Sequence, residues 1–234
     1  MLATFLLPIL VAAAAPSGTM EGASAPTCTP SYEKAKASVA KATKNFAEVE
    51  TIGAKDVLQL RREGKRVLLV DVRTEEEMGV SMLRGAVTRE EFERSDLGEP
   101  ARTGGKFQES SSEGEQAWDV VVPYCTVGFR SGQYAKKLMG LGYPSVRNSE
   151  GVVLWTHEIG CGLIAPAAEN EKMDRASDSG AGDDAGAEVK RVHVFGAPWD
   201  NASEDFETVT FTPKGWLKSS FKSAFSRVFG RKKA

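Results

Sequence analysis

The sequence predicts an α/β fold built on a parallel sheet. Residues 67–70, Val-Leu-Leu-Val, and 120–122, Val-Val-Val, are short, wholly apolar and mostly β-branched, as strands covered on both faces must be. Around them apolar residues recur at helical spacing, and strands alternating with helices pair in parallel through crossover connections. At 234 residues, of which 41% are hydrophobic, the chain has room for one domain of ordinary size with appendages at both ends. The formal net charge of −2 says little until it is divided along the chain.

Residues 1–15 are an apolar, Leu- and Ala-rich run ending in small residues before Pro16. That is the pattern of a secretory leader, here without a basic start, and it is too short for a membrane span. The stretch from 16 to about 44 is rich in Ala, Ser, Thr and Lys, as a transit peptide behind a signal would be. The expected localisation is therefore entry into the secretory pathway, ending in secretion, an endomembrane or a plastid; a cytoplasmic protein with an apolar start is the alternative. Ala35, Val39, Ala42, Phe46 and Val49 share one face of an amphipathic helix over 31–49, which closes an N-terminal extension (16–48) and leads into a domain expected over 49–162.

Ile52 begins a short strand, and 54–62 reads as a helix stopped at Gly64. After the strand 67–70, Asp71 and Arg73 sit at its carboxyl end, where open α/β sheets place functional groups. They read as supporting residues, and an ion pair that fixes the turn would serve as well. Thr74-Glu75-Glu76-Glu77 is a capped helix start, its acids facing the positive end of the dipole. Residues 90–119 are long and polar, with Phe92, Leu97, Phe107 and Trp118 as apolar anchors. They read as a surface excursion, the alternative being the rim of a site.

The chemistry concentrates at 124–132, Tyr-Cys-Thr-Val-Gly-Phe-Arg-Ser-Gly. A buried strand delivers Cys125 into a turn, Gly128 can take a positive φ, and Ser131 opens a helix that runs to Gly142. Turn amides, a helix N-terminus and the charge of Arg130 all favour a thiolate in such a place. Cys125 and Arg130 are the candidate catalytic residues, with Thr126, Val127, Gly128, Phe129 and Ser131 as a sulfur- or anion-binding loop. The plain alternative is an inert buried cysteine with an arginine capping a loop. Residues 145–147 are expected to form the last parallel strand.

These motifs together resemble the rhodanese-like sulfurtransferases: Asp-Val-Arg after a central strand, Cys-x-x-Gly-x-Arg at a strand-to-helix turn, and Glu150-Gly151 leading to Trp155 in a closing helix. At 81–86, Ser-Met-Leu-Arg-Gly-Ala stands where that family shows Gly-His-Ile-Pro-Gly-Ala, so Met82 and Arg84 depart from the pattern. The resemblance implies a three-layer fold with a central parallel sheet of about five strands and helices on both faces, plus flexible appendages. It implies a persulfide on Cys125, with Asp71 and Arg73 ordering the area beside the loop. The six residues from Cys125 to Arg130 match the sulfurtransferase loop, whereas the related phosphatases and arsenate reductases use one residue more. The first alternative is a catalytically silent rhodanese-like sensor or scaffold tethered by its basic amphipathic tail, and the second is a phosphatase or arsenate reductase of the same fold.

Beyond the domain, 163–190 reads as an acidic linker, because 169–188 is Asp, Glu, Ala, Gly and Ser with almost no large apolar residue. Residues 192–199, Val-His-Val-Phe-Gly-Ala-Pro-Trp, loosely resemble an extension that folds back on some cyanobacterial and algal rhodanese-like proteins. Residues 191–234 form a C-terminal extension whose last part, 212–234, carries seven Lys or Arg and no acid. As a helix it presents Leu217, Phe221, Phe225 and Val228 on one face, which suits an anionic membrane surface or an acidic partner, or packing on the domain. The basic residues are too few for nucleic acid. His157 and His193 are the only histidines, so no metal-ligand cluster is expected and no cofactor is implied. Cys28, Cys125 and Cys161 leave at least one thiol free; nothing in their spacing favours a disulfide or a resolving partner for Cys125. The expected partners are a small-molecule or protein sulfur donor and a thiol acceptor.

Overall fold

The computed structural model describes residues 29–94, 118–165 and 186–211. The expected leader, the middle of the polar loop (95–117), most of the acidic linker (166–185) and the basic tail (212–234) lie outside the described residues.

Helix α1 (Pro30–Thr43) opens on an N-cap, Thr29, whose side chain accepts the Tyr32 N–H, with Pro30 in the first turn where its missing N–H costs nothing. Tyr32, Ala35, Val39 and Ala42 form its buried stripe, which packs on two later helices, α5 (Phe129–Gly140) and α6 (Val152–Glu158). A 3-10 turn (Lys44–Phe46) then lays the Phe46 ring on Gly132, where a Cβ would come within 2.5 Å of it. The N-terminal extension thus braces the helix that follows the thiol.

The sheet begins with β1 (Thr51–Ile52), followed by α2 (Ala54–Arg62), the central strand β2 (Val67–Asp71) and the short helix α3 (Glu75–Met78). All five residues of β2 are buried, as are all five of β5 (Val120–Tyr124), so both sheet faces are covered at the centre. Each fully buried Val or Leu there contributes about 1.5–3 kcal/mol relative to exposure. β2 pairs in parallel with β4 (Ala86–Thr88) on one side and β5 on the other. β6 (Asn148–Ser149) pairs in parallel with β1, and Val146 just before it bridges in parallel to Val121. Joined through that bridge, the two ladders give the order β4-β2-β5-β6-β1, the five parallel strands that the family resemblance implies.

Pro123 lies inside β5, where a missing N–H would ordinarily break a ladder. Val121 N–H and C=O both face the 145–147 segment, bonding Ser145 O and Arg147 N, and alternation turns the Pro123 nitrogen the same way. By that point the neighbouring chain has crossed to β1.

Four boundaries differ from expectation. The last strand is formed at 148–149, not 145–147, because the chain crosses from β5 to β1 and regular pairing resumes only there. The helix after the thiol begins at Phe129 rather than Ser131. The start of the polar loop is a helix, α4 (Arg89–Arg94), hidden in the sequence by its charges. Thr88 and Glu91 cap it reciprocally, and Phe92 is buried against Tyr134 and Tyr143. Finally, both ends of the expected linker are paired. β7 (Leu163–Ile164) runs antiparallel to β3 (Met82–Leu83), Val189 N–H donates to Leu163 O, and Ala165 N–H donates to Ala187 O. The chain then returns as β8 (Arg191–Val194), paired in parallel with β9 (Glu207–Thr210).

Candidate active site

β5 ends at Tyr124, so Cys125 leaves the carboxyl edge of the sheet at its centre. Gly128, at φ 84°, turns the chain into α5 in a conformation that other residues adopt only under strain. The turn is held from behind. Asn148 Nδ2 donates to Gly128 O at 2.9 Å, and the first two N–H groups of α6, from Val152 and Val153, donate to Cys125 O and Thr126 O at 2.9 and 3.2 Å. Those helix-end donors have no partner of their own in α6, so the loop carbonyls and the helix satisfy each other.

This seating depends on Gly151, which has φ 102°. A Cβ at that position would lie 2.5 Å from Thr126 O and 2.8 Å from Val127 Cα. Gly151→Ala must push the loop off α6 and hold an unfavourable φ as well. The expected cost is about 2–4 kcal/mol, read as a lowered midpoint in thermal or urea unfolding.

Cys125 is 1% exposed. Ser131, in the first turn of α5, donates its hydroxyl to Cys125 Sγ at 3.5 Å. The first N–H groups of that turn have no intrahelical partner, and the positive end of the α5 dipole faces the thiol's turn. The helix end and one hydroxyl therefore face the sulfur. Val127 and Phe129 point elsewhere: both are buried core residues, Phe129 edge-on to Phe46.

From the sequence, Arg130 should bring its charge to the thiol. Its guanidinium does lie within Coulombic range of Cys125, and it also grips Glu77, Nη1 on Oε2 and Nη2 on Oε1, both at 2.6 Å, with Nη2 3.3 Å from Thr126 Oγ1. This is the two-pronged arginine–carboxylate pairing, and Glu77 is fully buried. Burial drives the Glu77 carboxyl upward and the Arg130 guanidinium downward. The hydrogen bonds and charge of the pair outweigh it, holding Glu77 far below the usual carboxylate range and raising Arg130. Arg130 thus meets the loop at Thr126 Oγ1, with its charge paired to Glu77 and also within range of Cys125.

Asp71 and Arg73 form a second buried pair at the same sheet edge. Arg73 Nη2 donates to Asp71 Oδ2 at 2.7 Å and to Ser81 O at 2.6 Å, and Nε reaches both Asp71 oxygens. Burial alone would lower Arg73, but the charge and hydrogen bonds of Asp71 more than restore it. The guanidinium also lies over the Tyr124 ring, whose hydroxyl accepts the Leu83 N–H. The pair fixes the turn after β2 and the final residue before the thiol.

Five residues contribute in ways that sequence reasoning does not show. Glu77 looks like any of three consecutive glutamates; only the spacing Thr74-x-x-Glu77 marks it, and the capping box is formed, with Glu77 Oε2 accepting the Thr74 N–H at 3.0 Å. Asn148 carries no local signal, and Gly151 is marked only as part of the Glu150-Gly151 lead into Trp155; the contact each makes is with a loop distant in sequence. From β8, His193 is fully buried, with Nδ1 3.3 Å from Glu77 Oε1, within ion-pair range though not aligned as a hydrogen bond, and Phe195 lies over the Arg130 guanidinium. His157, the other histidine, is remote from this cluster and meets Asn201 O. Cys161 is exposed and, like Cys125, a free thiol.

Residues 54–158 match the Rhodanese-like domain family. No curated protein matches the chain. Among solved structures it is similar to a thiosulfate sulfurtransferase from Pseudomonas aeruginosa, at 18% identity and TM-score 0.36, covering 56% of this chain and 22% of that one. A protein of unknown function from Rhodopseudomonas palustris, described as a possible tyrosine phosphatase, matches at 24% identity and TM-score 0.34, over 50% of this chain and 83% of that one. The polysulfide-sulfur transferase homodimer of Wolinella succinogenes matches at 21% identity and TM-score 0.34, over 58% of this chain and 88% of that one. The five-strand parallel sheet, the strand-to-helix turn at Cys125 and the family match over 54–158 agree: this chain carries a rhodanese-like domain, with the turn at its sheet edge.

Proposed function

We propose that the chain is a sulfurtransferase in which Cys125 carries sulfane sulfur as a persulfide. The observation that supports this most is the seating of Cys125 at the α5 N-terminus, with Ser131 Oγ 3.5 Å from its sulfur and the loop carbonyls pinned by α6. The Cys125 thiolate attacks the outer sulfur of a donor, R–S–S⁻; the new S–S bond forms on Cys125 and R–S⁻ leaves with the electron pair of the broken bond. An acceptor thiolate then attacks the outer sulfur of that persulfide, takes it, and returns Cys125 as thiolate. No electrons are gained or lost overall.

The donor follows from charge. Thr126 and Val127 carry none, and the charge of Arg130 is matched by Glu77. A doubly charged thiosulfate therefore finds helix-end and turn amides but no uncommitted loop cation, whereas a thiol persulfide, small or protein-borne, asks for less. Steady-state kcat/KM with glutathione persulfide is expected to exceed that with thiosulfate by about tenfold or more; a clear preference for thiosulfate would overturn this choice of donor. The same pairing disfavours a phosphatase, since a guanidinium held by Glu77 is not turned to clamp a phosphoryl group. The 1% exposure of Cys125 is the observation that favours a silent rhodanese-like module instead. Loading of sulfur onto Cys125 separates the two.

A further inference from the structure

We propose that β8, outside the stretch that matches the family, is a working part of this site, with His193 and Phe195 as positioning residues for the loop that carries the sulfur. The proposal rests on the sulfurtransferase reading above. The family match ends at residue 158 and β8 begins at Arg191.

Alternation along β8 sends Val192 and Val194 to one face and His193 to the other, with Phe195 following on the His193 side. Both valines and the histidine are fully buried. Two apolar residues in the core need no further reason. A buried imidazole does, because it must find polar partners or lose stability. His193 Nε2 lies 3.0 Å from Phe211 O, an acceptor only, so that nitrogen carries a proton and donates it. Nδ1 is left facing Glu77, 3.3 Å from Oε1, the same oxygen that receives Arg130 Nη2 at 2.6 Å and lies 3.5 Å from Thr126 Oγ1. The Phe195 ring stands edge-on to His193, 4.8 Å between centroids, and 5.2 Å from the Arg130 guanidinium carbon. Phe211 closes the other side of the imidazole at 4.2 Å.

A continuous path of contacts thus runs from His193 through Glu77 and Arg130 to Thr126, the residue next to Cys125. β8 holds the other buried pair as well. Arg191 O accepts the Ser81 hydroxyl at 2.7 Å, and Ser81 O accepts Arg73 Nη2 at 2.6 Å. Both arginine–carboxylate pairs flanking the loop are therefore tied to one returning strand. A strand with only a packing role would need neither the imidazole nor an aromatic ring over Arg130.

The test uses the full chain carrying His193→Ala, His193→Gln or Phe195→Leu, each assayed below its own unfolding midpoint. Phe195→Leu keeps an apolar side chain and guards against a His193→Ala protein that fails to fold. Transfer by His193→Ala and Phe195→Leu is expected to fall about tenfold in kcat/KM, through kcat more than KM, because a loop displaced by a fraction of an ångström misplaces the sulfur. His193→Gln, whose amide can still donate to the Phe211 carbonyl, is expected to recover part of that loss. Independently, alkylation of Cys125 by iodoacetamide, followed by peptide mass mapping, is expected to quicken about threefold or more as the loop loosens. Alkylation does not require sulfur transfer, so in a chain that transfers no sulfur it decides the question alone, and the two readings fail separately. Folded variants with wild-type transfer would overturn the proposal, as would faster transfer, which would make β8 a lid. Wild-type alkylation in a chain without transfer would overturn it too.

Discussion

Replacing Glu77 by alanine is expected to destabilise the domain by about 3–5 kcal/mol, because it strands the mostly buried Arg130 guanidinium without its counter-charge. Arg130 gives both terminal nitrogens to Glu77 at 2.6 Å, and the same carboxylate accepts the Thr74 N–H. A domain of this size has only about 5–15 kcal/mol to lose. Glu77→Gln keeps one oxygen, able to accept the Thr74 N–H and one Arg130 nitrogen, but loses the charge and turns an NH2 toward the other nitrogen, so it should fall between wild type and the alanine variant. Its pH dependence identifies the cause. Folding holds the Glu77 carboxyl below its unfolded value, so its stabilisation is complete above the unfolded value of about 4.3 and is lost as pH falls through the lower, folded value. The gap in unfolding free energy between wild type and Glu77→Gln should be constant near neutrality and shrink as the solution is acidified below about pH 4. A gap that does not narrow in acid would mean that the cost lies in packing, not in the ion pair.

Cys125→Ser is expected to lower sulfur transfer by about 10³-fold or more while leaving the fold in place. The serine hydroxyl is smaller and far less nucleophilic than a thiolate, and it cannot hold a second sulfur. Its neighbour, the Ser131 hydroxyl, gives it a hydrogen-bond partner, so the buried oxygen should cost only about 1 kcal/mol in stability. Activity lost with the unfolding midpoint nearly unchanged separates chemistry from structure. Residual transfer at the wild-type rate would move the nucleophile to another thiol, and Cys161, exposed in this structure, would be the first to substitute.

What the sequence reveals and what it hides follow from the range of the contacts involved. The bounds of α2 coincide with expectation because Gly64 and the apolar spacing are local signals, and β2 and β5 declare themselves by being apolar on both faces. The turn at Cys125 is legible for the same reason: strand, glycine and helix follow one another directly. Arg130 shows the limit. Its residue type and position are plain in the sequence, yet the carboxylate that grips it lies 53 residues upstream and leaves no local trace. β8 is hidden more deeply, since a linker composition precedes it and nothing in Val-His-Val-Phe indicates which face of the domain it will cover. α4 is missed for a simpler reason: six residues, five of them charged, leave Phe92 alone to signal burial.

Whether Cys125 holds sulfane sulfur is open to direct observation. Intact-mass measurement of the full chain after exposure to glutathione persulfide, with peptide mapping and the Cys125→Ser variant as control, tests it most directly. The account predicts the gain of one sulfur atom on Cys125, discharged when an acceptor thiol is added and absent from the variant. A protein whose Cys125 mass never changes under a sulfur donor, or whose added sulfur sits on Cys28 or Cys161 alone, would contradict it.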